Sequence, residues 1–355
     1  MDETRFRFLK ELVEAPSPSG YEGPAQRLWW REVSRFADEI RTDTHGNVIA
    51  AINPGGALRV MLAGHCDEIG LIITYIDDDG FLWFTTIGGF DAAILPGQRV
   101  HVHTADGPVL GVIGRKPIHL VRPEDRSKGV DLKDLWIDIG AQDGMEAHDT
   151  VSVGDPVTMA VGLERLRGDL VVSRALDNKV GAFLAAETLR AVSIRRPRAA
   201  VYAVSTVQEE IGLRGAHTST YSVEPHVGIA IDVTWATDHP GMKEERKRIG
   251  EMVPGRGIVL TRGANVNPVV FQRLVRAARE GGLPHQIRAT AGATGTDGNA
   301  MQLSRGGVAM GIVGVAQRYM HTPVEIISLA DLDSAIEVLT RFLLDLDESA
   351  DFTPY

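Results

Sequence analysis

A-A-V-Y-A-V-S-T-V-Q-E-E-I-G-L-R-G, residues 199–215, opens as an apolar run of strand length and closes on two adjacent carboxylates, Glu209 and Glu210, just before a glycine-containing turn. A buried strand has no structural use for two acids at its tip. Their repulsion costs energy unless a cation or a proton sits between them. A single Glu-Glu pair is most simply the solvated start of a loop, but here the arrangement recurs. R-V-M-L-A-G (59–64) runs into His65 and Asp67, V-G-I-A-I (227–231) into Asp232, and V-A-M-G-I-V-G-V (308–315) leads through Q-R-Y-M to His321. In open α/β sheets the ligand crevice lies outside the carboxyl ends of the strands, so residues far apart in the chain can converge there. Asp177 adds a fifth position. It opens D-N-K-V-G-A-F-L-A-A-E-T-L-R (177–190), whose apolar residues recur at helical spacing, so its carboxylate stands where a helix begins, as ligand or as N-cap.

Two imidazoles and several carboxylates form a donor set suited to zinc first, and also to cobalt or manganese. Two neighbouring divalent ions would share one bridging carboxylate and each take one histidine and one further carboxylate. That leaves Glu209 as a general base toward a metal-activated water. Side chains alternate along a strand, so His65 and Asp67 face one way and Cys66 the other. Asp67 is then placed to accept the second ring N–H of His65 and fix its tautomer, while Cys66 reads as a small buried residue. His45 falls in a turn signal, and His101 and His103 read as surface residues of a β-rich stretch.

From about 69 to 164 the sequence changes to short β-like runs such as G-L-I-I-T-Y-I, F-L-W-F-T-T-I and Q-R-V-H-V-H-T, broken by D-D-D-G, L-P-G and A-D-G turns. This predicts a small β-barrel or sandwich inserted into an α/β domain formed by residues 1–68 and 165–355. Helical patterns include an opening one through Phe8 and Leu12 and a closing one at L-A-D-L-D-S-A-I-E-V-L-T-R-F-L-L-D-L (329–346). P-S-P-S-G (16–20) reads as a turn. G-A-T-G-T-D-G-N (292–299) reads either as a loop in which Thr296 or Asp297 caps a helix or as a flexible lid beside a substrate. Arg318 and Tyr319 are candidates for substrate contact or for packing beside His321.

With 355 residues, 44% of them hydrophobic, the chain is long enough for a large core and two domains. A net charge of −10 argues against nucleic acid as a partner. No run is of membrane-span length, the first residues are charged rather than signal-like, and one cysteine fits a reducing cytoplasm.

Seven motifs carry a family resemblance along nearly the whole chain: L-V-E-A-P-S-P-S-G-Y-E (12–22), D-T-H-G-N-V-I-A (43–50), A-G-H-C-D-E-I-G (63–70), A-L-D-N-K-V-G (175–181), Q-E-E-I-G-L-R-G-A (208–216), G-T-D-G (295–298) and R-Y-M-H-T-P-V-E (318–325). In this order they resemble the M42 family of metallo-aminopeptidases, which includes the tetrahedral and glutamyl aminopeptidases and some proteins once labelled endoglucanases. The resemblance implies a zinc-peptidase-like fold, a central mixed sheet with flanking helices carrying a small inserted barrel, and two divalent metal ions per subunit. It implies that Asp177 bridges the ions, Glu210 and His321 hold one, His65 and Asp232 hold the other, and Glu209 is the base, with Asp67 supporting the centre. It further implies short peptide substrates and a homo-oligomer, in many members a dodecamer, built with the inserted domain. The related M20 peptidases carry their extra domain later, after the acidic ligand that follows the Glu-Glu pair. Cys66 stands where the family often has methionine, and Asn299 where small residues are commoner. Deacylation of N-acyl amino acids or amino sugars is the alternative metallohydrolase reading. Glycosidase chemistry also uses paired carboxylates, but two histidines and an aromatic content of 6% fit it poorly. A non-catalytic binding protein would have no use for an intact Glu209.

Overall fold

The computed structural model describes residues 1–125 and 128–354. The chain begins with helices Glu3–Glu14 (α1) and Gly23–Val33 (α2) and strands Glu39–Thr42 (β1), Val48–Ile52 (β2) and Arg59–His65 (β3). Six strands follow as a closed barrel: Gly70–Ile76 (β4), Leu82–Ile87 (β5), Arg99–Thr104 (β6), Gly107–Arg115 (β7), Leu135–Asp138 (β8) and Pro156–Met159 (β9), with helix Gly144–Thr150 (α3) before the last. The segment expected as barrel or sandwich is thus a barrel, ordered β4-β5-β8-β7-β6-β9. Its entry and exit strands are neighbours, with Leu71 opposite Val157. It has its own core, including Leu71, Ile73, Val100, Val102, Ile113 and Ile137.

Beyond the barrel come Glu164–Arg165 (β10), Leu170–Ser173 (β11), helix Leu176–Arg195 (α4), Ala200–Thr206 (β12), helix Arg214–Val223 (α5), Val227–Trp235 (β13) and the short helix Arg246–Ile249 (α6). The chain closes with Ile258–Gly263 (β14), helix Pro268–Glu280 (α7), His285–Thr290 (β15), helix Asp297–Gln302 (α8), Ala309–Gln317 (β16), Glu325–Ser328 (β17) and helix Leu329–Leu344 (α9). The main sheet has the order β1-β2-β12-β3-β13-β16-β14-β15. Its four central strands, β12, β3, β13 and β16, are mutually parallel and are the four apolar runs that end in acids or histidines. Being covered on both faces, they read as continuous apolar runs rather than alternating ones. Val60 and Leu62 of β3 enter the core shared with α1, α2, α4 and α9, whereas Met61 and Ala63 enter the opposite layer with Ala216 of α5 and Met301 of α8.

Two glycines set the distance between sheet and helix. A Cβ on Gly64 would lie 2.1 Å from the Gly181 carbonyl carbon, and one on Gly181 would lie 2.4 Å from the Ile231 carbonyl oxygen. The backbone of α4 therefore rests directly on β3 and β13, which no larger residue permits. A buried ionic cluster holds the same junction. Glu68 accepts from Lys179 Nζ at 2.9 Å and from the Ser17 amide at 3.0 Å, and pairs with Arg174, while Lys179 also donates to the Val13 carbonyl at 3.2 Å and to that of Ala15. Burial opposes the charge of Glu68, but Arg174 and Lys179 outweigh it and hold the carboxyl at about 2. Among the described residues no helix is long and apolar enough to cross a membrane.

Candidate active site

His65 is the last residue of β3. β3 pairs with β13 only from Val60/Val227 to Ala63/Ala230, while β13 continues beside β16 as far as Trp235. The sheet therefore parts at His65, and Asp232 faces the gap from inside β13 rather than from its end, as its sequence position suggested. Glu209 and Glu210 lie in the turn after β12, and that turn hangs on Asp67. The Glu209 amide donates to Asp67 Oδ1 at 3.0 Å, the Glu210 amide to Oδ2 at 3.2 Å, and Ser19 Oγ to Oδ2 at 2.7 Å. The expected link from His65 to Asp67 is made chiefly to the backbone: His65 Nδ1 is 3.1 Å from the Asp67 carbonyl and 3.3 Å from Oδ1. Either contact places the proton on Nδ1 and turns Nε2 toward the crevice.

Asp177 is not an N-cap. Its own dihedrals and those of Asn178 are non-helical, and Asn178 takes the capping role, accepting the Gly181 amide on Oδ1 at 3.0 Å and donating Nδ2 to the Ile231 carbonyl at 2.8 Å. The Asp177 carboxylate is thereby left to the crevice. His321 follows β16 in a left-handed backbone conformation, φ 60°. Its Nδ1 lies 2.9 Å from the carbonyl of Gly89, just past β5, so the barrel reaches the site. Glu325 spans the two sides: one carboxylate oxygen accepts the Asp177 amide and the other the His321 amide, both at 3.1 Å.

These constraints bring together His65, Asp67, Asp177, Glu209, Glu210, Asp232 and His321. Asp177 presents one oxygen to each histidine, Oδ1 at 3.4 Å from His65 Nε2 and Oδ2 at 3.4 Å from His321 Nε2. Glu210 Oε1 is 3.4 Å from His321 Nε2. Glu209 Oε2 and Asp232 Oδ1 stand 3.8 and 3.9 Å from His65 Nε2. Ligand-type atoms fall within 4.8 Å of one another in each of two sets, His65 with Asp177 and Glu210, and His65 with Glu209 and Asp232. Such crowding is electrostatically expensive. Burial, then the charges of Asp232, Asp297 and Glu210, push the Glu209 carboxyl up to about 10 despite the opposing His65. Burial and Asp177 likewise raise Asp232. Asp177 goes the other way: burial is overcome by His321 and His65, which hold it at about 2. Hydrogen bonds to Asp177 and Glu210 carry His321 to about 11. A buried group of acids gathered around two imidazoles is a set whose repulsion divalent cations relieve.

The residues open onto a cleft of about 230 Å³ whose walls include Trp235, Arg288, Thr294, Thr296 and Met320. The 292–299 segment thus lies beside the crevice. Thr296 stands at the N-cap position of α8 without a side-chain capping bond, and Asp297 is buried, accepting Thr206 Oγ1 at 2.5 Å. Burial lifts Asp297 to about 6. Arg318 turns to Asp238, donating Nε at 2.9 Å, and Tyr319 packs against His239 with ring centroids 5.2 Å apart. Cys66 is buried, and His103 is engaged by Thr158 at 2.8 Å. Ser19, Asn178, Glu325 and Arg288 were not assigned roles from sequence. Ser19, Asn178 and Glu325 lie inside the quoted motifs, which was the available signal; Arg288 lies in none.

The family model described as M42 glutamyl aminopeptidase matches residues 46–338. The lysyl aminopeptidase of Pyrococcus furiosus is 36% identical over 354 residues, covering 98% of this chain and 99% of its own. The TET aminopeptidase from the marine sediment archaeon Thaumarchaeota archaeon SCGC AB-539-E09 superposes with a TM-score of 0.92 at 32% identity, covering 98% of each chain. The TET1 peptidase of Pyrococcus horikoshii, which can assemble into a tetrahedron or a large octahedral shell, gives 0.85 at 30% identity, over 96% of this chain and 100% of that one. This chain belongs to the M42 peptidase family.

Proposed function

We propose that the protein is an aminopeptidase that uses two divalent metal ions to release N-terminal residues from short peptides. The observation that carries this reading is Asp177, which offers one carboxylate oxygen to each of two histidines that have a further acid alongside. In this assignment Asp177 bridges, His65 and Asp232 hold one ion, and His321 and Glu210 hold the other. Zinc suits these donors best, with cobalt and manganese as alternatives. When bound, the ions supply Lewis acidity toward the scissile carbonyl and lower the pKa of water.

The chain's own residues do the rest. Glu209 accepts the proton of the attacking water and returns it to the leaving amine. Distance alone does not separate Glu209 from Asp232, since both lie just under 4 Å from His65 Nε2; the base role rests on the position of Glu209 in the Q-E-E motif. Asp67 is a positioning residue that fixes the Glu209–Glu210 turn through both amides. Glu325 does the same for Asp177 and His321. The barrel brings Gly89 to His321 and serves a homo-oligomer, with twelve subunits as the expected form. The lone buried cysteine suits a cytoplasmic enzyme.

The test compares peptides with their N-acetylated twins after chelation and reloading with zinc, cobalt or manganese. An exopeptidase recognises the substrate ammonium with an anionic group, and removing that cation leaves buried acceptors unpaired. Acetylation should lower kcat/KM roughly a thousandfold. Equal hydrolysis of both, or release of acetate, would replace the aminopeptidase by the deacylase, and undiminished activity after chelation would remove the metals.

A further inference from the structure

One arginine lines this acidic cleft. Among the described lining residues Arg288, on the edge strand β15, is the sole lysine or arginine. Its surroundings differ from those of Arg174 and Arg318, two other arginines at least partly buried. Arg174 pairs with Glu68 and Arg318 with Asp238. Arg288 has no carboxylate within ion-pair distance among the described residues, in a chain with 47 acidic side chains. It donates Nη1 to Thr234 Oγ1 at 2.8 Å, stacks 5.2 Å from the Trp235 ring centroid, and keeps a buried Nε–H with no partner. Burial lowers its pKa and no neighbouring acid offsets this. Stacking occupies the face of the guanidinium and leaves edge donors for a planar acceptor. A half-buried arginine without an acid is costly, unless the missing acid arrives from outside.

Position says what would bring it. Thr234 is two residues past Asp232 on the same face of β13, so the Arg288 contact lies about 7 Å along the strand from the candidate metal centre. That is the reach of a side chain, or of one further residue, from a peptide bond held at the centre.

We infer that Arg288, steadied by Thr234 and Trp235, is a specificity residue that binds a carboxylate of the substrate. The carboxylate comes either from the side chain of an N-terminal Asp or Glu or from the C-terminus of a dipeptide. The inference rests on the aminopeptidase reading and narrows its substrate. It also separates this chain from a preference for N-terminal lysine, which a cation in the cleft wall would repel.

The experiment uses the metal-loaded full-length protein. Glu- and Gln-anilides isolate the side-chain source, because neither carries a C-terminal carboxylate; Leu-Gly and Leu-Gly amide isolate the other. Wild type should favour the charged member of one pair by roughly thirtyfold or more in kcat/KM, the scale of a charge-assisted hydrogen bond. That ratio should collapse toward one in Arg288→Gln and recover in part in Arg288→Lys. Calorimetry on a Glu209→Gln background, with Glu-Gly against Gln-Gly or Leu-Gly against its amide, should give the same preference in binding without turnover. Wild-type ratios near one in both pairs would overturn the inference while leaving the aminopeptidase intact, provided Leu-anilide is cleaved. A ratio unchanged by Arg288→Gln would assign recognition to another residue. If no free-amine substrate is cleaved, both readings fall together.

Discussion

Replacing Glu209 by glutamine should move activity and stability in opposite directions. The residue is 8% exposed. In the metal-free protein, burial and the neighbouring acids lift its pKa from 4.5 to about 10. An acid with a raised pKa in the folded state binds a proton there that the unfolded chain has released. The penalty is therefore absent below pH 4.5 and grows by about 1.4 kcal/mol per pH unit above it. At pH 7 this amounts to about 3 kcal/mol, which a neutral, nearly isosteric glutamine removes. With an unfolding entropy of about 2.1 cal/mol/K per residue, the 355-residue chain gains about 4 °C in Tm at pH 7 and nothing at pH 4.5. Loss of the base should at the same time lower kcat roughly a hundredfold or more, while metal content holds. Thermal melts of chelated protein from pH 4.5 to 8, turnover after reloading, and metal analysis check the three parts. A Tm that falls at pH 7 would refute the crowding of acids around Glu209. Turnover within tenfold of wild type, or a lost ion, would refute its role as base.

Asp177→Asn should weaken metal binding at both positions, since one carboxylate faces both histidines; metal analysis after dialysis that finds one ion bound with unchanged affinity would contradict the bridge. Glu68→Gln leaves Arg174 and Lys179 buried with no carboxylate partner and should cost about 3–5 kcal/mol, read from urea denaturation of the chelated protein. Replacing residues 70–163 by a short Gly/Ser linker should yield a smaller oligomer by light scattering, and an unchanged assembly would remove the barrel from subunit contacts.

What the sequence made legible follows from how far each interaction reaches. The central parallel strands were readable because burial on both faces makes them unbroken apolar runs, so His65, Glu209 and Glu210 stood out as polar residues at their ends. The barrel was readable from short strands between glycine turns. Asp232 was placed at a strand end because the apolar run stops at Ile231, yet pairing with β16 carries β13 to Trp235. Asp177 was legible as ligand or as N-cap of α4, and only the three-dimensional course of Asn178, which accepts the Gly181 amide and donates to the Ile231 carbonyl, takes the cap from it. Asp67, Glu325 and Arg288 act through partners brought near by the fold: the Glu209 and Glu210 amides, the Asp177 amide, and Thr234. No local pattern encodes such pairs.

The barrel whose first and last strands lie side by side also bears on how the chain folds. His65 and Asp177 are more than a hundred residues apart in sequence, and bringing them together from a disordered chain is a long loop closure. Because Leu71 pairs with Val157, a barrel that has already closed around its own core short-circuits most of that loop. The remaining free chain is about a quarter as long, which lowers the closure cost by about 1.3 kcal/mol and favours the encounter of Gly64 with Gly181 roughly tenfold. The insertion that separates the two halves of the site in sequence is then what shortens their search for each other.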